Sequence, residues 1–351
     1  MKILFITNKI PLYRVPLYNM LGKEYDMTIA HIGNRVDSMY FKEVILKENK
    51  IGLFFHFKGI KELNSFNIIL VYLNVRLINL YSIVFSMKKR FKVIVYGIGV
   101  SASYDKRYDR DKKVGYLIKH IVNHADAAIF YDDYPVIKYC SLGVTPEKMF
   151  VAYNTVASSV ENISPLSKRN SIIFIGTLYE QKKIFQLLLA YKIAMEEKVD
   201  FPVLYIIGDG SDKQLVATWI KENKSEKQIR LLGEITDEDS LKQYFDRALI
   251  CISPGQAGLT VLKSFSYGVP VITSFYPISG GEFTAIIDGV TGFFYDGTAR
   301  GLYRSIKEVL ARPDLESINE NCKVFYDKFR SPKVWAEGVH KAIKYVMRNN
   351  S

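Results

Sequence analysis

Ser171-Ile172-Ile173-Phe174-Ile175-Gly176-Thr177-Leu178-Tyr179-Glu180-Gln181-Lys182-Lys183 is the stretch on which the fold turns. Five mostly apolar residues run into a glycine, and a lysine pair then opens a helical pattern over Ile184–Glu197. A short apolar run bounded in this way is a buried strand that feeds a helix through a tight loop. The same order repeats downstream. Val203–Ile207 precedes a helix over Asp212–Asn223, Ile229–Leu232 precedes Asp237–Arg247, Leu249–Ile252 precedes Leu259–Tyr267, and Val271–Thr273 follows. Such alternation builds βαβ units with right-handed crossovers and helices on both sheet faces.

Upstream, strands are predicted at Lys2–Thr7, Met27–His31, Ile68–Tyr72, Val93–Tyr96, Ala127–Tyr131 and Met149–Ala152, with helix-length patterns between them. A polar stretch from Ser158 to Asn170, with Pro165 inside it, separates the two series. The expectation is therefore an α/β protein of two Rossmann-like, doubly wound parallel-sheet domains, residues 1–159 and 160–331. A last helix, about Pro332 to Arg348, carries Trp335, Val339, Ile343 and Val346 at helical spacing. It is expected to pack, as part of residues 332–351, back on the first domain.

A chain of 351 residues with 48% hydrophobic and 24% charged residues can bury two cores, which excludes a disordered protein. Forty-eight Lys and Arg against 36 Asp and Glu leave +12, so polyanions attract it: phosphorylated small molecules, nucleic acid or an anionic bilayer. Cys140, Cys251 and Cys322 lack any C-x-x-C spacing, which suits a reducing compartment, and the cytoplasm is the expected location. The amino-terminal apolar run is too short for a secretory signal. Asn67 to Met87 contains Asn74, Arg76 and Asn79, and reads as a strand and a helix rather than a membrane span.

Phosphate is held by backbone N–H groups at a helix N-terminus together with a cation. Two loops fit. One is Gly176 to Lys183; the other is Ser253-Pro254-Gly255-Gln256-Ala257-Gly258-Leu259-Thr260. Both follow parallel strands, at the edge where open α/β sheets bind ligands. Taken singly, each is also an ordinary glycine turn with a solvated helix start.

Their order and spacing resemble the second domain of GT-B glycosyltransferases of the large retaining family 4. The family pattern is a strand ending in G-R-L-x-x-x-K, a strand ending in G-x-G, a strand ending in L-G-x, then a loop and helix closing with small-x-G-x-P-V-I/V. Here these correspond to Gly176 through Lys182, Gly208-Asp209-Gly210, Leu232-Gly233-Glu234, and the tail Ser264-Phe265-Ser266-Tyr267-Gly268-Val269-Pro270-Val271-Ile272. The resemblance implies two domains facing a cleft and a nucleotide-sugar donor. Lys182 and the amides of Gly258, Leu259 and Thr260 would grip the donor diphosphate, with Gly176, Thr177, Gly208 and Ala257 in the same loops. The base would sit beside Glu234 and Ile235. Glu282, behind Gly280-Gly281, would lie near the sugar.

Two positions depart from the pattern. Thr177 stands where the family has arginine, and the family's paired glutamates fall on Gly255 and Lys263. Lys263 is then expected to reach the diphosphate in place of that arginine, or else to be a solvent-facing lysine, and Gln256 to hydrogen-bond sugar hydroxyls. Lys182, Lys263 and Glu282 are the catalytic candidates. Electrostatic help to the departing phosphate comes from Lys182.

In the first half, Pro11-Leu12-Tyr13-Arg14 and Ala152-Tyr153-Asn154-Thr155-Val156 also resemble family segments, and by the same resemblance this half takes the acceptor. Isoleucine occupies position 98, where the family commonly has histidine, so the acceptor-side candidates are Tyr13, Arg14, Gly97, Ser101 and Tyr104, with Ser103 as a further hydroxyl. Basic clusters at Lys88-Lys89-Arg90-Phe91-Lys92 and from Lys106 to Lys119 suit a peripheral contact with an anionic membrane and a glycan or lipid-linked acceptor; they equally suit a solvated basic face. No metal or other cofactor is expected: His120 and His124 share a helix face without a third ligand. Nucleic acid is not expected as a partner. A dehydrogenase is disfavoured because Asn8-Lys9-Ile10-Pro11, not G-x-G-x-x-G, follows the first strand. A pseudoenzyme of the same fold and a sugar-nucleotide epimerase are the alternatives.

Overall fold

Runs such as Ile68–Tyr72 and Ser171–Ile175, apolar with no polar alternation, become central strands of parallel sheets covered on both faces. The computed structural model describes residues 1–101, 108–109 and 111–348. They form two compact units, one from residues 1–101, 109, 111–157 and 330–348, the other from residues 108 and 158–329.

The elements of the first unit are β1 (Lys2–Ile6), α1 (Val15–Gly22), β2 (Asp26–His31), β3 (Lys42–Ile45), β4 (Lys47–Ile51), β5 (Phe54–Lys58), β6 (Ile68–Tyr72), α2 (Ile78–Val84), β7 (Lys92–Gly97), α3 (Lys112–His124), β8 (Ala127–Phe130), α4 (Asp133–Ser141) and β9 (Met149–Val151). The second contains β10 (Ser171–Ile175), α5 (Ile184–Glu196), β11 (Val203–Ile207), α6 (Lys213–Glu222), β12 (Ile229–Gly233), α7 (Glu238–Phe245), β13 (Ala248–Ser253), α8 (Leu259–Ser266), β14 (Val271–Ser274), β15 (Gly292–Tyr295), α9 (Ala299–Leu310) and α10 (Leu315–Phe325). After it the chain enters α11 (Pro332–Arg348), which belongs to the first unit.

Among the described residues, the first sheet has the order β3-β2-β1-β6-β7-β8-β9, with every neighbouring pair parallel. The second has β12-β11-β10-β13-β14-β15, also parallel throughout. Counted within its own unit, that order is 3-2-1-4-5-6. Its direction of growth reverses between β10 and β13, and ligands of open α/β sheets bind outside the carboxyl ends of the strands at such a point.

α11 covers the face of the first sheet shared with α1. Its Trp335, Val339, Ile343 and Val346 are buried with Phe5, Ile94 and Ile129. Side chains buried to this extent contribute about 1.5–3 kcal/mol each. Gly338 permits the approach, since a Cβ there would stand 2.2 Å from the Val151 carbonyl oxygen. Trp335 Nε1–H donates to Tyr96 Oη at 2.9 Å, so the indole is satisfied as well as buried.

The segment between β2 and β6 differs from the expected helix. β3 joins the sheet edge beside β2, while β4 and β5 form a separate antiparallel hairpin. The hairpin turns at Gly52, in the left-handed region at φ 59°, and its Phe57 backbone exchanges two hydrogen bonds with the Asn79 side chain of α2. Alternation in Phe54-Phe55-His56-Phe57-Lys58 is weak because three aromatics are adjacent or nearly so, and β4 is wholly exposed. Neither strand therefore shows period-2 patterning. Among the described residues, no helix is long and apolar enough to cross a membrane.

Candidate functional site

The loop after β10 lies on the loop after β11, backbone against backbone. Gly176 N donates to Ile207 O at 3.0 Å and Leu178 N to Asp209 O at 2.8 Å. A Cβ at Gly208 would stand 1.9 Å from Gly176 O, and one at Gly210 2.2 Å from Leu178 O. The two glycines of Gly208-Asp209-Gly210 thus serve this close approach. Asp209 instead pairs with Lys213 at 2.5 Å.

A 3-10 turn, Glu180–Lys182, then brings Lys182 back over Gly176. Its Nζ would be 3.2 Å from a Cβ on that glycine. Lys182 is only 8% exposed, and burial lowers its pKa from 10.5 to about 8, against smaller opposing effects of Cys251 and Glu282. Among the described residues its ammonium makes no hydrogen bond and no salt bridge, an expensive state for a buried cation. Burial also pushes the Cys251 thiol up to about 12, so it stays protonated beneath the site.

The loop after β13 docks onto this turn. Gly255 N donates to Lys182 O at 3.3 Å, and a Cβ at Gly255 would lie 2.1 Å from Gln181 O. Any glutamate at 255 is excluded by that contact unless the loop moves. Tyr179 Oη donates to Gln256 Oε1, Ser253 Oγ donates to Gln256 O at 2.7 Å, and Ala257 N donates to Ile278 O at 2.9 Å. Gly258 caps α8, whose Thr260 Oγ1 donates to Ile175 O at 3.2 Å. The amides of Gly258, Leu259 and Thr260 have no acceptor among the described residues. Lys182 and the start of α8 therefore meet at one corner, Ile175-Gly176, at the carboxyl ends of β10 and β13. A buried cation and three free N–H groups at one corner are the chemistry that can hold an anion.

Glu282 opens the 3-10 turn Glu282–Ala285 and is buried, accepting from Gly280 N at 2.9 Å and Ser279 Oγ at 3.2 Å. Lys263 lies one turn into α8, and its ammonium pairs with Glu238 at the start of α7, 5.4 Å from the Tyr267 ring centroid. Tyr267 Oη donates to the same carboxylate at 3.4 Å. Nothing in the sequence singles out Glu238, an acidic first-turn residue 25 positions upstream of Lys263. Glu234 is exposed and Ile235 half-buried just beyond Gly233, whose carbonyl accepts from Gly208 N at 2.7 Å. Thr177 is exposed and Ala257 buried.

In the first unit, Arg14 is buried and Tyr13 exposed, both in the short turn Leu12–Arg14 after β1. Arg14 Nη1 donates to Tyr96 Oη at 2.7 Å and Nη2 to Asn154 Oδ1 at 2.6 Å. Gly97 ends β7 against Leu73, and Ser101 Oγ accepts from Asp111 N at 2.9 Å, which ties the loop to the start of α3. Ser103 and Tyr104 lie outside the described residues. His120 stacks on Phe85 and His124 lies tilted beside it, with the His124 Nδ1 bonded to the His120 carbonyl at 2.9 Å. A hollow lined by Tyr191, Lys198, Asp200 and Gln228 lies at the opposite edge of the second sheet, away from these loops.

Residues 159–324 match the family model described as Glycosyl transferases group 1. Sequence comparison with curated proteins gives no match. Solved structures share the architecture. Anabaena HepE in complex with UDP aligns at 14% identity and a TM-score of 0.69, over 98% of this chain and 100% of that one. The pneumococcal O-GlcNAc transferase GtfA in complex with UDP and GlcNAc aligns at 14% identity and 0.67, over 99% of each chain. The lipopolysaccharide outer core galactosyltransferase WaaB, in its apo form, aligns at 19% identity and 0.65, over 98% of this chain and 99% of that one. The fold is thus that of GT-B glycosyltransferases, two parallel-sheet Rossmann-like units, and the second unit carries a glycosyl transferases group 1 domain.

Proposed function

We propose that the protein is a glycosyltransferase that moves a sugar from a nucleotide-diphosphate donor to a glycan or lipid-linked glycan acceptor. The observation that carries this reading is the buried, unpaired Lys182 ammonium at the same backbone corner as the free amides of Gly258, Leu259 and Thr260. As the bond to the sugar breaks, negative charge gathers on the departing diphosphate while the sugar becomes cationic. A desolvated ammonium and fixed N–H dipoles stabilise that charge more than they stabilise the intact donor, which is the condition for catalysis. Gln256 and Glu282 are the donor-sugar contacts in this scheme, and Glu234-Ile235 receives the base.

HepE and GtfA are complexes with UDP, so a uridine donor is the one to test first. WaaB is a lipopolysaccharide outer core galactosyltransferase, which supports a role in bacterial surface polysaccharide or glycoconjugate synthesis. Retention of anomeric configuration, a cytoplasmic location and a peripheral contact with the inner membrane face complete the proposal. α8 carries no carboxylate of its own and its Lys263 is paired with Glu238, which favours a second reading in which the fold binds a nucleotide sugar but does not transfer it.

Calorimetry with UDP and GDP, followed by product analysis with their common sugars, separates these readings. Binding that Lys182→Ala removes, with transfer or donor hydrolysis, is expected. Binding without turnover points to the pseudoenzyme, isomerised donor to an epimerase, and absence of any diphosphate binding overturns the assignment.

A further inference from the structure

Arg14 is 4% exposed, and everything that holds it is neutral. Besides Tyr96 Oη and Asn154 Oδ1, its guanidinium carbon lies 5.1 Å from the Tyr131 ring centroid and 5.6 Å from that of Tyr13. Among the described residues it has no salt bridge, and the groups acting on it electrostatically are Tyr96, Tyr131, Tyr18 and Tyr13, with no carboxylate. Arginine cannot escape the cost by losing its proton.

The other buried arginines are treated differently. Arg330 lies over the Tyr153 ring at 3.8 Å with Asp132 and Asp133 acting on it. Arg169 donates to the carbonyls of Ser164, Ala248 and Tyr267. Arg14 alone of the three rests on two neutral oxygens and aromatic faces, with only two of its five N–H groups committed to oxygen.

Its position is as telling as its partners. Arg14 follows β1, Tyr96 is in β7, Tyr131 follows β8 and Asn154 follows β9, so all four are at the carboxyl edge of the first sheet. β1 pairs with both β2 and β6, which makes it the switch point of that sheet. Above the cation the rim is partly open: Tyr13 is 38% exposed, and Tyr131 and Asn154 are half-buried.

We propose that Arg14 is the floor of a subsite for an oxyanion, a carboxylate or phosphate carried by the acceptor, so that the acceptor is an acidic sugar unit. This rests on the reading of the chain as a glycosyltransferase. The guanidinium fork matches such a group, and its desolvated setting strengthens the attraction. The exposed Tyr13 ring offers the apolar face of the sugar a surface beside it.

The test titrates three probes by calorimetry, with and without saturating UDP: methyl β-glucuronide, methyl glucoside 6-phosphate and neutral methyl glucoside. At least one acidic probe is expected to bind ten-fold or more tightly than the neutral one, and the arm that does so identifies carboxylate or phosphate. Arg14→Gln should erase the preference. Because that variant can also weaken the fold, Asn154→Asp is the second arm. It supplies Arg14 with an internal counter-charge, so it should raise the thermal midpoint and abolish the preference while UDP binding persists. Equal binding of neutral and acidic probes, or a preference that survives Asn154→Asp, overturns the proposal. Loss of UDP binding by the wild type would strike the donor assignment and leave this result readable by itself.

Discussion

Replacing Lys182 by methionine should make the protein more stable and less able to bind its donor. The ammonium is held in a setting that drops its pKa from 10.5 to about 8. At 1.36 kcal/mol per pH unit, that drop corresponds to a folding cost on the order of 3 kcal/mol. Between pH 8 and 10.5 the unfolded chain keeps a proton that the folded one has released, so this contribution raises stability as pH climbs through that window. Below pH 8 both states are protonated and the full cost is present. Methionine keeps most of the stem and removes the charge. At pH 7 the variant should therefore melt about 5 °C or more above the wild type, at about 2–4 °C per kcal/mol for a protein this large, and the gap should close toward pH 10.5. Saturating UDP should raise the wild-type midpoint and leave the variant's nearly unmoved. Differential scanning fluorimetry at pH 7 and pH 10, with and without UDP, reads all four values. A variant less stable than the wild type at pH 7, or one stabilised by UDP as much as the wild type, refutes the account of Lys182.

Gly208→Ala should destabilise the second unit by roughly 3 kcal/mol or more, because its Cβ would stand 1.9 Å from Gly176 O at a φ of 151°. Gly258→Ala meets no atom within 4 Å and should cost no more than about 1 kcal/mol; denaturant midpoints compare the two. Lys263→Glu faces Glu238 with a like charge and should lose about 1 kcal/mol, which the double exchange with Glu238→Lys restores in a thermal double-mutant cycle. Trp335→Ala empties a fully buried site and breaks the bond to Tyr96, so about 3–5 kcal/mol should be lost from the first unit, measurable by urea unfolding.

The parallel sheets were legible because their central strands are unbroken apolar runs: Ile68–Tyr72 and Ser171–Ile175 can be little else. The phosphate-type loops were legible for a related reason. Glycines at 208, 210 and 255 mark backbone contacts too close for a Cβ, and such contacts occur where loops converge at a sheet edge. What escaped was any partnership that depends on tertiary packing. The pairing of Lys263 with Glu238, the Tyr179 hydroxyl on Gln256 and the tyrosine ring around Arg14 each join residues remote in sequence, and no local period encodes them. The β4–β5 hairpin escaped because it is an edge ornament whose strands need not alternate.

α11 closes the first unit only after the whole second unit has been spelled out. During synthesis, β1, β7 and β8 must wait with the face destined for Trp335, Val339 and Ile343 open to water, while residues 158–329 emerge and can fold by themselves. The ribosome thus brings the second unit to completion first, and the earlier-made unit is aggregation-prone for that interval.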